Sequence, residues 1–300
     1  MTSVLVELYD EFVLEKNVYQ AFVRDSDEIL FLSLNQIDDK DKVALREFMM
    51  REVPHIERIR FRQLTLERMT EQLDQYLSGY DQVLLDVFGG DSLLAVALYQ
   101  YGLERNLPTV AMDIEKWRQY EWQAGQLLVA EMAIPSLSIQ QMISLRGGKI
   151  LHSKQPTFGP RQVAAIKKLA CMAIARPHQW SAVTQFFSLA ETHDLRSSTK
   201  KVLDNKGKNY HYPKDQIPLL LEAGMIQIES EEKNRVVYSF PNQVAQVFCR
   251  NKGYILELYL YLQALESELF EECSVGVEID WNGIFPEVDN VQNEIDVILR

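Results

Sequence analysis

Three hundred residues, 47% of them apolar and 25% charged, are enough for two compact domains or three small ones of an ordinary globular protein. No apolar run approaches the ~20 residues that cross a bilayer, and the opening MTSVLVELYDEF is acidic with no basic stretch, unlike a signal peptide. Net charge is -12, but unevenly spread: residues 1–144 carry -11, residues 145–215 carry +9 and residues 251–300 carry -9. A basic middle between acidic ends is either solvated surface or a face turned to nucleic acid. Cys171, Cys249 and Cys273 are odd in number and widely spaced, which excludes a CxxC zinc site. They read as reduced thiols of a cytoplasmic protein, most simply as buried apolar fillers.

The first 150 residues predict an α/β domain. Short apolar runs at 3–8 (SVLVEL), 28–33 (EILFLS), 81–88 (DQVLLDVF) and 108–114 (PTVAMDI) predict strands. Helical patterns over Asp41–Glu52, Leu66–Leu77 and Leu93–Glu104 separate them, as in a parallel, doubly wound sheet. Such sheets bind ligands at the carboxyl ends of their strands. The sharpest local feature there is Val87-Phe88-Gly89-Gly90-Asp91-Ser92, between a strand and a helix. Paired glycines turn the chain tightly and bare its N–H groups, and the helix start suits an anionic or polar ligand. The loop is neither GxGxxG nor a P-loop, so neither a dinucleotide nor an ATPase reading is supported. Asp91 or Ser92 also reads simply as a helix N-cap.

The middle, 151–250, predicts a winged helix. HQWSAVTQFFSLAETH is an amphipathic helix, and a basic loop with Lys200, Lys201, Lys206 and Lys208 follows. Gln216–Ala223 is a second helix stopped by Gly224, and MIQIES and RVVYSF form a hairpin. Either the module binds DNA through those lysines, or it links and orients other domains.

Residues 251–300 begin a third unit. The helix GYILELYLYLQALESELF bears Glu257 and is followed by strands SVGVEIDW and QNEIDVILR, the second carrying Glu294-Ile295-Asp296. An acid-bearing helix and a short acidic strand are how a metal-dependent nuclease core begins, and no further strand with an acid and a lysine follows before Arg300. The blander reading of Glu257 is a solvated helix face.

This order of parts resembles the ring-nucleotide-activated nucleases of type III CRISPR defence, which join a CARF (CRISPR-associated Rossmann fold) domain, a winged helix and a PD-(D/E)xK nuclease. Three places carry the likeness: the strand ending in Gly89-Gly90, Asn17 opening a helix eight residues after Tyr9, and the pair Gly253–Glu257 with Asn293–Val297. The resemblance implies a Rossmann-like sensor (1–150), a winged helix-turn-helix (151–250) and the start of a restriction-endonuclease-like domain (251–300). It implies a homodimer with cyclic oligoadenylate as activator, bound by Tyr9, Asn17, Gly89, Gly90, Asp91 and Ser92, and DNA or RNA as a further partner. It also implies Asp296 as metal-bridging acid, Glu257 as a second metal ligand and Glu294 as a supporting acid, with Mg²⁺ or Mn²⁺ where the nuclease domain is complete. Two departures stand out. Phe88-Gly89-Gly90-Asp91-Ser92 replaces the family's Thr-Gly-Gly-Thr-Lys, so a lysine is exchanged for a carboxylate. The acid-x-Lys half of the nuclease motif is missing, so the chain is a fragment, a truncated product or a sensor without catalysis, and this form is expected to be inactive. The alternative is a ligand-responsive winged-helix transcription regulator.

Overall fold

The structure, a computed structural model, describes residues 2–132, 136–193, 195–233, 235–283 and 291–300. It divides into two compact units, 1–150 with 279–293 and 151–278 with 294–300.

In the first unit the chain runs β1 (Ser3–Leu8), α1 (Lys16–Val23), β2 (Glu28–Ser33), α2 (Asp39–Glu52), β3 (Arg58–Gln63), α3 (Met69–Leu77), β4 (Gln82–Asp86), α4 (Ser92–Arg105), β5 (Thr109–Asp113), β6 (Arg118–Gln123), β7 (Gln126–Glu131) and α5 (Ile139–Leu145). The seven strands form one sheet in the order β3-β2-β1-β4-β5-β6-β7. Pairing is parallel from β3 to β5 and antiparallel for β6 and β7. The α/β expectation is met. Both sheet faces are covered, which is why β1 and β2 read as nearly continuous apolar runs. Leu5, Ile29 and Phe31 pack in one core with Val18, Ala21, Phe48 and Met49, whereas Val4, Val6, Leu30 and Leu32 pack in another with Leu73, Leu94 and Leu98. The strand order reverses between β1 and β4, so their carboxyl ends open the crevice where such sheets take ligands.

Three strands of this sheet escaped the sequence reading. β3 (RIRFRQ) alternates arginines with apolar residues, and Arg58 and Arg60 pair with Glu28 on the neighbouring strand. β6 and β7 form an antiparallel hairpin whose outer strand is exposed throughout.

The second unit takes up most of β8 (Lys149–Lys154), then α6 (Pro160–Ala175), α7 (Pro177–Leu189), β9 (Arg196–Ser197), β10 (Lys201–Leu203), β11 (Asn209–His211), α8 (Ile217–Glu222), β12 (Gln227–Glu231), β13 (Val236–Ser239), α9 (Gln243–Arg250), α10 (Tyr254–Ser267), β14 (Cys273–Asp280) and β15 (Gln292–Leu299). Helices α6, α7 and α8 with the sheet β12-β13-β9 make the winged-helix topology, and the basic loop folds into a separate hairpin, β10-β11. An aromatic core holds it: Phe187 meets Tyr238 at 5.5 Å and Trp180 meets Phe248 at 5.8 Å, both edge-on. Arg250 ties α9 to the end of α7 through the carbonyls of Phe187 and Ala190. The same core takes in Ile255 and Leu258 of α10 and Val275 of β14, so the acid-bearing helix is anchored on the winged helix. A third small sheet has the order β15-β14-β8. All three cysteines are unbridged.

Candidate functional sites

The carboxyl ends of β1 and β4 frame a cavity of 390 Å³, lined by Tyr9, Asp10, Phe12, Asp38, Asp41 and the Gly90–Ser92 loop among others. Gly89 and Gly90 take φ of 90° and 60°, which only glycine adopts readily. A Cβ on Gly90 would also lie 2.8 Å from Leu8 Cβ, so β1 and the loop approach as closely as they do because Gly90 has none. Asp91 is the N-cap of α4, accepting from Leu93 N at 2.9 Å and Leu94 N at 3.1 Å. Ser92 opens that helix and is exposed.

The organiser of this end is Asp10, which the sequence reading did not single out. Its carboxylate accepts from Phe12 N, Val13 N, Lys16 Nζ and, at 3.3 Å, from Gly90 N, tying the β1 loop to the glycine loop. Burial works upward on its pKa, but the donors of Val13, Lys16 and Phe12 outweigh it and hold Asp10 below the usual carboxylate range. Asn17 is buried, and both halves of its amide are spent on Asp10: Oδ1 accepts from Asp10 N at 2.7 Å and Nδ2 donates to Asp10 O at 2.9 Å. Asn17 therefore shapes the pocket from behind. Tyr9 lines the pocket and donates its hydroxyl to Asp41 at 2.9 Å, and burial followed by that acceptor pushes its pKa up. Lys16 bears on the loop from the other side, its ammonium 5.2 Å from the Phe88 ring centre. The lining carboxylates of Asp10, Glu11, Asp38, Asp41 and Asp91 make the cavity acidic.

The second site is the acid cluster of the second unit. Glu294 and Asp296 stand two apart on β15, and both act electrostatically on Glu257 of α10. Burial first, then Asp296 and Glu294, raise the Glu257 pKa, and Lys154 pulls it back. The three acids singled out in the sequence thus lie in one field. Two further groups join them. Lys154, in β8, lies over Gly276 of β14, and its ammonium is 5.8 Å from the Tyr254 ring centre. The Tyr254 hydroxyl is buried without a hydrogen-bond partner, and its pKa is pushed up to about 12 by burial, then by Glu257 and Glu294. One signal in the sequence lies here: Gly276 sits between two valines inside the strand CSVGVEID, a mark of close approach by a neighbour. Among the described residues no three His, Cys, Asp or Glu side chains converge to hold a metal ion. The three acids as placed do not by themselves complete a cation cage.

The lysines assigned to nucleic acid divide. Lys200 is occupied by Glu231 at 3.0 Å and by the Glu232 carbonyl, whereas Lys201, Lys206 and Lys208 are exposed on the β10-β11 hairpin. Helix α8, which would enter a major groove, exposes Pro218, Leu221 and Glu222 and no basic side chain. No helix among the described residues is long and apolar enough to cross a membrane.

No protein-family model and no curated protein matches the sequence. Solved structures do match in fold. Can2 from Sulfobacillus thermosulfidooxidans, in complex with cyclic tetra-adenylate, aligns over 99% of this chain and 76% of its own, with TM-score 0.64 and 18% identity. Protein VC1899 from Vibrio cholerae aligns over 99% and 77%, with TM-score 0.63 and 14% identity. A type III CRISPR defence DNA nuclease activated by cyclic oligoadenylate aligns over 100% of this chain and 38% of its own, with TM-score 0.50 and 14% identity.

Proposed function

We propose that the protein is a cytoplasmic sensor of cyclic oligoadenylate, of the CRISPR-associated kind, whose second unit carries the scaffold of a metal-dependent nuclease. The observation that carries this is the coincidence of two independent findings. The cavity at the β1/β4 reversal lies where doubly wound sheets take ligands, and the fold follows Can2, solved with cyclic tetra-adenylate, along almost the whole chain. The acidic lining sets the pose: adenine amino groups donate to the pocket carboxylates, and phosphates stay with the N–H groups of the glycine loop and with Ser92. In the second unit Asp296 and Glu257 are the acids proposed for Mg²⁺ or Mn²⁺, Glu294 supports them, and DNA or RNA meets Lys201, Lys206 and Lys208 on the β10-β11 hairpin. The bare outer face of α8 gives the regulator alternative no reading helix.

Cyclic tetra-adenylate titrated calorimetrically into the chain should bind. The double change Asp91→Thr plus Ser92→Lys should tighten it about tenfold, because it removes a charge of the wrong sign, adds one of the right sign and keeps a residue able to cap α4. Unchanged or weaker binding by the double variant removes this loop from the site.

The sensor is proposed to work as a homodimer. Leu93 and Val96 on α4 are 65% and 66% exposed, and Leu127, Leu128 and Val129 on β7 are about half exposed, apolar side chains that a partner would cover. A two-fold contact is the commonest way to cover such surface. Light scattering at micromolar concentration should give twice 34.8 kDa, and charges at Leu93 and Val96 should return it to that single mass.

A further inference from the structure

The acid cluster of the second unit carries its own cation. If a Cβ stood on Gly276, the Lys154 ammonium would be 3.3 Å from it and the Glu294 Oε1 3.7 Å from it, so both lie against the space a side chain there would fill. The site is built to admit that lysine. Gly276 holds a φ of 58° in the middle of β14, and Gln155, the next residue after Lys154, donates to Ser274 on the same strand at 3.2 Å. Beneath lies the Tyr254 hydroxyl, buried and unpartnered, beside the Lys154 ammonium that faces its ring. Three carboxylates in one field need positive charge, and no three of them converge on a metal position.

We infer that Lys154 is the resident counter-ion of the Glu257–Glu294–Asp296 cluster, and that a divalent cation enters this site only by working against it. The inference rests on the nuclease-scaffold reading and deepens it. An ammonium that acts on these carboxylates lowers their attraction for a second cation, and removing it restores that attraction. The lysine also keeps the acids compensated while no metal is present.

The test is Mn²⁺ alone, titrated calorimetrically at low salt into the full chain and its variants. Lys154→Met should bind Mn²⁺ at least about fivefold more tightly than the native chain, and Lys154→Arg, which keeps the charge, should not. Asp296→Ala in the Lys154→Met background should abolish the gain. Circular dichroism and urea midpoints of each variant establish that it is folded, and Gly276→Ala, which crowds the ammonium, should move Mn²⁺ affinity in the same direction as Lys154→Met. If Asp296 governs Mn²⁺ binding and Lys154→Met leaves it unchanged, the counter-ion role is overturned while the nuclease-scaffold reading stands. If no variant shows Mn²⁺ binding that depends on Asp296, both are overturned.

Discussion

Asn17→Ala should cost about 3 kcal/mol of stability and at least about thirtyfold in cyclic tetra-adenylate affinity. The native amide satisfies the backbone N–H and C=O of Asp10, and both residues are buried. Truncation leaves a buried donor and a buried acceptor unpaired, each costing about 1–3 kcal/mol. The loss spreads to the pocket because Asp10 in turn holds Phe12 N, Val13 N and Gly90 N, so the two loops that frame the cavity share one fixed point. Urea midpoints report the first effect, and calorimetry below the unfolding transition reports the second. A variant with native stability but lost binding would instead mean that Asn17 touches the ligand. A variant unchanged in both would remove the brace altogether.

The same residue illustrates what could be read from the sequence. Asn17 was legible only through the family resemblance, as the amide that opens the first helix eight residues after Tyr9. That it faces inward, toward Asp10, depends on where β1 ends in three dimensions, which no spacing records. The central strands were legible because both faces of the sheet are covered, so Leu5 and Val6 are buried alike though they point into different cores. β3 was not, because its arginines are compensated by Glu28, a residue thirty positions earlier in the chain. In the second unit Glu257, Glu294 and Asp296 stood out as acids in apolar elements. Lys154 did not, since nothing in KILHSK announces that β8 pairs with a strand more than a hundred residues later, opposite a glycine.

Raising the pH from 5.5 to 8 should destabilise the first unit by several kcal/mol, and Asp86→Asn should remove much of that loss. The register of β1 on β4 aligns Val6 with Leu85, so Glu7 and Asp86 follow as neighbours, on the sheet face that α1 covers. Both are essentially inaccessible to water, and neither oxygen of Glu7 has a hydrogen-bond partner. Burial, then the charge of Asp86, raises the Glu7 pKa far above its ordinary value. Burial pushes Asp86 up to about 8, although the Phe88 N–H and the Arg24 guanidinium pull against it. Arg24 reaches in from the end of α1 but spends one nitrogen on Glu121 of β6, so it compensates the pair only in part. The folded chain therefore keeps protons that the unfolded chain releases near pH 4. With more protons bound folded than unfolded, stability falls as pH rises, by about 1.4 kcal/mol per pH unit for each proton retained, until the folded group itself titrates near 8. Asp86→Asn keeps the acceptor for Phe88 N at the root of the glycine loop, a 2.9 Å bond, and removes only the charge. Urea midpoints at the two pH values should thus lie closer together in Asp86→Asn, the remaining gap being that of buried Glu7, with the variant more stable than the native chain at pH 8. Parallel pH profiles for native chain and variant would mean that Asp86 is already ionised in the fold and that Arg24 is its full counter-ion.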